Sequence, residues 1–138
     1  MRLMLDTCVV IDLLTDPENM NQGARELLGG PENTLFASCE TMRELVVHFN
    51  NKQLLNKRWK SAEELLQAVE YDLNIEFLSI RRNVVYTYSR LLLNEAQGHN
   101  DPSDHIIISH AIAEHMALMS SDRKFPFYRN QGLELIEY

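Results

Sequence analysis

The sequence predicts an α/β fold: a three-layer α/β/α sandwich with a mainly parallel central sheet. Two observations predict it. Short apolar runs alternate along the chain with segments of helical spacing, and strands that alternate with helices imply a mainly parallel sheet covered on both faces. The chain also has 138 residues, 45% of them apolar and 24% charged, which suits one packed domain spanning residues 1–138 and is too short for two.

The elements follow in order. Residues 3–6 (Leu-Met-Leu-Asp) read as a short buried strand, and residues 8–14 as a helix with Thr7 as its N-cap. Asp16-Pro17 breaks that helix, and a short amphipathic one from Ala24 to Leu28 stops at Gly29-Gly30-Pro31. Residues 34–38 form the second strand. Met42, Leu45, Val46 and Phe49 at helical spacing predict a helix over 39–49. A polar, basic stretch over 50–60 leads to Ser61-Ala62-Glu63-Glu64, a capping-box signature that opens a helix to Tyr71. Residues 75–80 are the third strand, and 82–97 read as one long helix ended by Gly98. Asp101-Pro102 starts a helix to His115, with Pro102 suited to its first position. Residues 117–121 and 133–138 complete the strands, the last at an edge of the sheet.

Composition narrows the function classes. No apolar stretch approaches a membrane span, and the N-terminus lacks the extended apolar region of a signal peptide, so a cytoplasmic protein is expected. Cys8 and Cys39 fit neither a disulfide scaffold nor a zinc site and are expected to be buried free thiols. A net charge of −7 argues against a general nucleic-acid coat, which would be basic. It leaves a nuclease open, because an acidic site that binds metal carries part of that charge.

Four carboxylates focus the chemistry: Asp6, Glu44, Asp104 and Asp122. Asp6 closes the first strand and Asp122 follows the fourth. Ligands of open α/β sheets bind at the carboxyl ends of the strands, so these two share one edge. Glu44 lies early in the helix after the second strand, and Asp104 in the first turn of a later helix. Each has a structural reading of its own. Asp104 at N3 gains from the helix dipole, Asp6 can bond nearby amides, Asp122 can sit in a turn, and Glu44 can be a solvated helix charge. Together on one sheet edge they would repel unless their pKa values rise or a cation arrives. Mg²⁺ or Mn²⁺ suits an all-oxygen donor set. Such an ion can activate water and polarise a phosphoryl oxygen.

Four blocks carry a family resemblance: Leu5-Asp6-Thr7; Ser38-x-x-Thr41-x-x-Glu44-Leu45; Asp101-Pro102-Ser103-Asp104-His105-Ile106-Ile107; and Ser120-Ser121-Asp122-Arg123-Lys124-Phe125. In order and spacing they resemble the signature blocks of PIN domains, and the last two are most similar to the VapC-type toxins of bacterial toxin–antitoxin pairs. The resemblance implies an endoribonuclease dependent on Mg²⁺ or Mn²⁺ that leaves 5′-phosphate and 3′-hydroxyl ends. Asp6 and Asp104 match the principal metal ligands, Glu44 and Asp122 complete the acidic cluster, and Thr7 and Ser120 match hydroxyls that line the site. It further implies an RNA substrate, a cognate antitoxin protein as partner, and a homodimer. Cys8 stands where such proteins often carry Asn, Ser or His. Arg43 stands where many carry an apolar residue, and there it could pair with Glu44 and weaken a metal role.

Other residues are given lesser parts. Arg123 and Lys124 adjoin Asp122 and are the candidate phosphate contacts. Lys52, Lys57, Arg58 and Lys60 around Trp59 could steer and stack RNA, but a solvated linker with one anchoring Trp is the favoured reading. Asp12 is expected to face away from the site, and Asp101 to cap a helix. His105, His110 and His115 recur every five residues, which spirals round a helix instead of lining one face, so a zinc role is not expected. His48 and His99 have no partner that the sequence reveals. Tyr71, Tyr86 and Tyr88, with Val85, Leu91 and Leu92, read as core or dimer surface. The rival to an enzyme is a catalytically silent metal- or RNA-binding module of the same fold. A signalling receiver domain needs an acidic pair after the first strand and a late lysine, and Asp6-Thr7-Cys8 lacks the pair; a phosphoaspartate hydrolase needs a second Asp where Cys8 stands.

Overall fold

Period-two alternation in β1 (Arg2–Leu5) sends Leu3 and Leu5 to one face of the sheet and Met4 to the other, and all three are fully buried. A strand buried on both sides needs helices on both sides. The computed structural model, which describes residues 1–54 and 58–138, provides them. β2 (Thr34–Ser38), β3 (Ile75–Leu78), β4 (Ala117–Ser120) and β5 (Leu135–Glu137) join β1 in a five-stranded sheet of order β3-β2-β1-β4-β5. Every neighbouring pair is parallel.

One face packs against α1 (Thr7–Thr15), α2 (Gln22–Gly29), α3 (Cys39–Asn50) and α4 (Ala62–Tyr71), through Val9, Val10, Ala24, Leu45, Leu65 and Val69. The other packs against α6 (Pro102–Ala113) and a 3-10 segment (Phe125–Gln131), through Ile107, Ile108, Ala111, Phe125 and Tyr128. α5 (Arg82–Arg90) lies on α6. No helix among the described residues is long and apolar enough to cross a membrane.

The topology decides where a ligand would sit. The chain builds β1, β2 and β3 outward in one direction, then returns to place β4 on the other side of β1. Strand order therefore reverses between β1 and β4, and at such a switch point the connections diverge and leave a crevice at the strands' carboxyl ends. Asp6 follows β1 and Asp122 follows β4, so both border that crevice.

Several expectations shift. Asp6, not Thr7, is the N-cap of α1: its side chain accepts from the Thr7 backbone N–H. β3 ends at Leu78, two residues before the expected end. The long helix expected to reach residue 97 ends at Arg90. Its propensity is overridden by tertiary hydrogen bonds. The Gln131 side chain accepts from the Leu92 N–H at 2.8 Å and donates to the Leu92 carbonyl at 2.9 Å, as a neighbouring strand would. Tyr128 Oη accepts from the Asn94 N–H. A 3-10 turn (Glu95–Gln97) then leads to Gly98, whose φ of 63° reverses the chain toward α6. The segment Phe125–Gln131, which supplies these partners, has no signal in the sequence. Cys8 and Cys39 are free but only half-buried, against expectation. Tyr71, Val85, Tyr86 and Leu92 are exposed, so the core half of that reading is set aside for them, whereas half-buried Leu91 packs against the core.

Leu118, central in β4 and fully buried, should cost about 2–5 kcal/mol when changed to Ala. Ser61 caps α4 through the Glu64 N–H, and Ser61→Ala should cost about 1 kcal/mol. Urea unfolding of both variants would measure the difference.

Candidate metal centre

The crevice is built from the strand ends upward. The Asp6 N–H continues the ladder to the Met119 carbonyl at 3.0 Å, which ties the ends of β1 and β4 together. Asp6 is 4% exposed. Its Oδ1 accepts from the Thr7 N–H at 2.8 Å, and its Oδ2 from Ser120 Oγ at 2.7 Å and from the Cys8 thiol. Thr7 Oγ1 donates to Glu44 Oε1 at 2.6 Å and is itself 2.9 Å from Thr41 Oγ1. With its proton committed to Glu44, Thr7 accepts from Thr41. Asp122 is held by its own turn, Oδ1 accepting from the Lys124 N–H, while the Asp122 N–H donates to Ser120 Oγ.

Asp104 enters from α6. Asp101 caps that helix through the Ser103 N–H, Pro102 is its first residue, and Asp104 lies in its first turn. Arg43 bears on the alignment of α3 and α6. It donates to Glu40 and, at 2.8 Å, to Ser103 Oγ, which in turn donates to Glu40 Oε1. Arg43 is therefore bonded to Glu40, not to Glu44 as the sequence suggested, and braces the two helices that carry Glu44 and Asp104.

Asp6, Glu44, Asp104 and Asp122 line one cleft of about 410 Å³, with Thr7 and Cys8 in its wall. That is room for a hydrated cation and a phosphate group, a water occupying about 30 Å³. One oxygen each of Asp104 and Asp122 and a ring nitrogen of His99 lie within 4.8 Å of one another; among the described residues Asp6 and Glu44 do not join that trio. His99 is the residue that the sequence did not reveal. Its Nε2 is 3.0 Å from Asp104 Oδ2.

Burial and crowding raise the pKa values of Asp6, Glu44 and Asp104. Burial pushes Asp6 up against the lowering effect of its hydrogen bonds. Burial and then Asp6, Asp101 and Glu40 raise Glu44, against the Thr7 hydrogen bond. Asp104 rises to about 8, through burial and then the charges of Asp6, Asp101, Asp122 and Glu44. Among the described residues, no Lys or Arg pairs with any of the four. There, too, the second oxygens of Glu44, Asp104 and Asp122 take no hydrogen bond from the protein. Hard oxygen donors that repel one another and keep a free lone pair fit a divalent cation.

The remaining candidates scatter. Arg123 is exposed and Lys124 half-buried; neither is among the residues lining the cleft. His48 and Asp101 do line it. Asp12 accepts from Tyr138 Oη. Of the basic cluster, Lys57 lies outside the described residues; the Arg58 guanidinium stacks on Trp59, which packs against the core as an anchor. His105 bonds the His99 carbonyl and His110 bonds Ser38, so both are structural.

Compared with solved structures, the fold is similar over nearly its whole length to three toxin–antitoxin complexes. VapBC2 from Rickettsia felis, bound to a promoter DNA fragment, is 22% identical, with 99% of this chain and 98% of that chain covered and a TM-score of 0.76. VapBC-1 from nontypeable Haemophilus influenzae is 21% identical, with the same coverages and a TM-score of 0.73. VapBC-5 from Mycobacterium tuberculosis is 19% identical, again covering 99% and 98%, with a TM-score of 0.65. No curated protein matches by sequence. The PIN domain family model matches residues 3–131. With that match over most of its length, the chain belongs to the PIN domain family.

Proposed function

We propose that this chain is a metal-dependent endoribonuclease and the toxin of a toxin–antitoxin pair. The observation that carries the reading is the convergence of four carboxylates at the switch-point crevice, with the Asp104 carboxyl pushed up to about 8 and no Lys or Arg paired with any of them among the described residues. Membership of the PIN domain family supports it. Asp6 and Asp104 would be the principal ligands of Mg²⁺ or Mn²⁺, with Glu44 and Asp122 binding directly or through water. Bound there, the cation would supply an activated water and charge neutralisation at a phosphodiester.

The chain's own residues do the positioning. Ser120 and the Thr7 amide hold Asp6, and the Thr7 hydroxyl holds Glu44, so the ligands are oriented before any ion arrives. The proposed substrate is RNA, cut to leave 5′-phosphate and 3′-hydroxyl ends, with Arg123 and Lys124 as candidate phosphate contacts beside Asp122. The proposed protein partner is an antitoxin, a reading that the toxin–antitoxin complexes of like fold support. A homodimer and a cytoplasmic location belong to the same proposal.

Asp6→Asn and Asp104→Asn should each lower the rate of RNA cleavage in Mn²⁺ by about 100-fold or more, because each removes a charged ligand from the reacting centre. Rates equal to the parent's would contradict the mechanism. A parent that binds Mn²⁺ yet leaves every site in a cell-wide cleavage map intact would point instead to a silent binding module.

The pH dependence has a definite sign. In metal-free protein the folded chain keeps a proton on Asp104 up to about pH 8, whereas an unfolded chain releases it near the ordinary value of about 4. Between those limits the folded state binds more protons, so stability falls as pH rises. The metal-free melting temperature should therefore drop between about pH 5 and about pH 8, and Asp104→Asn should flatten the drop. Millimolar Mn²⁺ should raise the melting temperature most at the alkaline end, since only the ionised site takes the ion.

A further inference from the structure

The ring of His99 is 2% exposed and sits behind the cleft, not among the residues that line it. We propose that His99 is a positioning residue: it orients the Asp104 carboxylate for a divalent cation, through a hydrogen-bond chain whose direction is set by a backbone amide. The inference rests on the metal-centre reading above and deepens it.

The direction can be read link by link. The Asn94 N–H can only donate, and its acceptor is Tyr128 Oη at 3.0 Å. Tyr128 Oη lies 2.8 Å from His99 Nδ1, and His99 Nε2 lies 3.0 Å from Asp104 Oδ2. Were the His99 proton on Nδ1 alone, the Tyr128 hydroxyl would receive two donors and its own proton would lack an acceptor among the described residues. With Asp104 ionised, as cation binding requires, the Nε2 lone pair would then face the carboxylate. Unmet buried groups of this kind are costly. One arrangement avoids both costs: Tyr128 donates to Nδ1, and Nε2–H donates to Asp104 Oδ2.

The ring has little freedom to do otherwise. Its centroid is 4.7 Å from that of His105, and 5.6 Å from those of both Phe125 and Tyr128. His105 Nε2 donates to the His99 carbonyl at 2.9 Å, which fixes the backbone as well. The terminal torsion of an Asp is broad, so a carboxylate without such a donor can turn. With Oδ2 held, Oδ1 is the oxygen left for an ion. Partners of this kind behind a ligand are worth about 10- to 100-fold in metal affinity.

Nitrogen-15 NMR of the Mg²⁺-saturated protein, with the His99 signals assigned by their loss in His99→Gln, reads the tautomer. The neutral Nε2–H form is expected. The Nδ1–H form, which direct ligation through Nε2 would require, or a doubly protonated ring overturns the inference. Calorimetric titration with Mn²⁺ supplies the second arm. His99→Ala and Tyr128→Phe should each weaken binding by about 10-fold or more. His99→Gln, whose amide can donate to the same oxygen, should recover part of the loss. Parent-like affinity in Tyr128→Phe and His99→Ala, beside lost binding in Asp104→Asn, overturns the positioning role and leaves the metal centre standing. Parent-like affinity in Asp104→Asn overturns both. Should His99→Ala fail to fold, Tyr128→Phe and the tautomer still decide.

Discussion

Three of the four carboxylates in one crevice are held in place by neutral donors, and the fourth meets a histidine ring. Thr7 and Ser120 hold Asp6, the Thr7 hydroxyl holds Glu44, the Lys124 amide holds Asp122, and His99 lies against Asp104. A Lys or Arg in any of these places would bring the carboxyl pKa values down and offset the charge. Neutral donors instead fix position and leave the repulsion in being. The result is a site whose geometry is set by folding and whose crowded carboxylates suit a cation. Much of the local structure serves this end, including the Arg43–Glu40–Ser103 brace that pairs its cation away from the cleft.

The sheet topology makes the crowding geometric. Reversal of strand order between β1 and β4 opens the crevice, and the ladder bond from Asp6 to Met119 sets how far apart its walls stand. Because β1 is buried on both faces, it moves little independently of either helical layer. Asp6 shares in that rigidity. It also caps α1, so one carboxylate terminates a strand, starts a helix and faces the cleft.

How much of this was legible in the sequence differs by residue. Asp6, Glu44, Asp104 and Asp122 were legible because strand-end and helix-start positions can be read from local pattern, and a parallel sheet collects them at one edge. The layers and all five strands were legible for the same reason. His99 was not. Its role depends on α5 ending at Arg90, and residues 91–97 carry no Pro or Gly that would say so. The break is made by Gln131 and Tyr128, some forty residues away in the chain and in a 3-10 segment with no periodic signature. The partner of Arg43 is hidden for a related reason. Its neighbour in sequence is Glu44, but on a helix the residue three positions back, Glu40, is the one within reach.

On this reading the crevice is a divalent-cation site built from residues of four separate segments. Anomalous diffraction from crystals grown with Mn²⁺ tests it most directly, because the signal locates the ion without reference to activity. A peak is expected within coordination distance of Asp6 and Asp104, with Glu44 and Asp122 as direct or water-bridged neighbours. No peak in the crevice at saturating Mn²⁺, or ordered Mn²⁺ only elsewhere on the molecule, would contradict it.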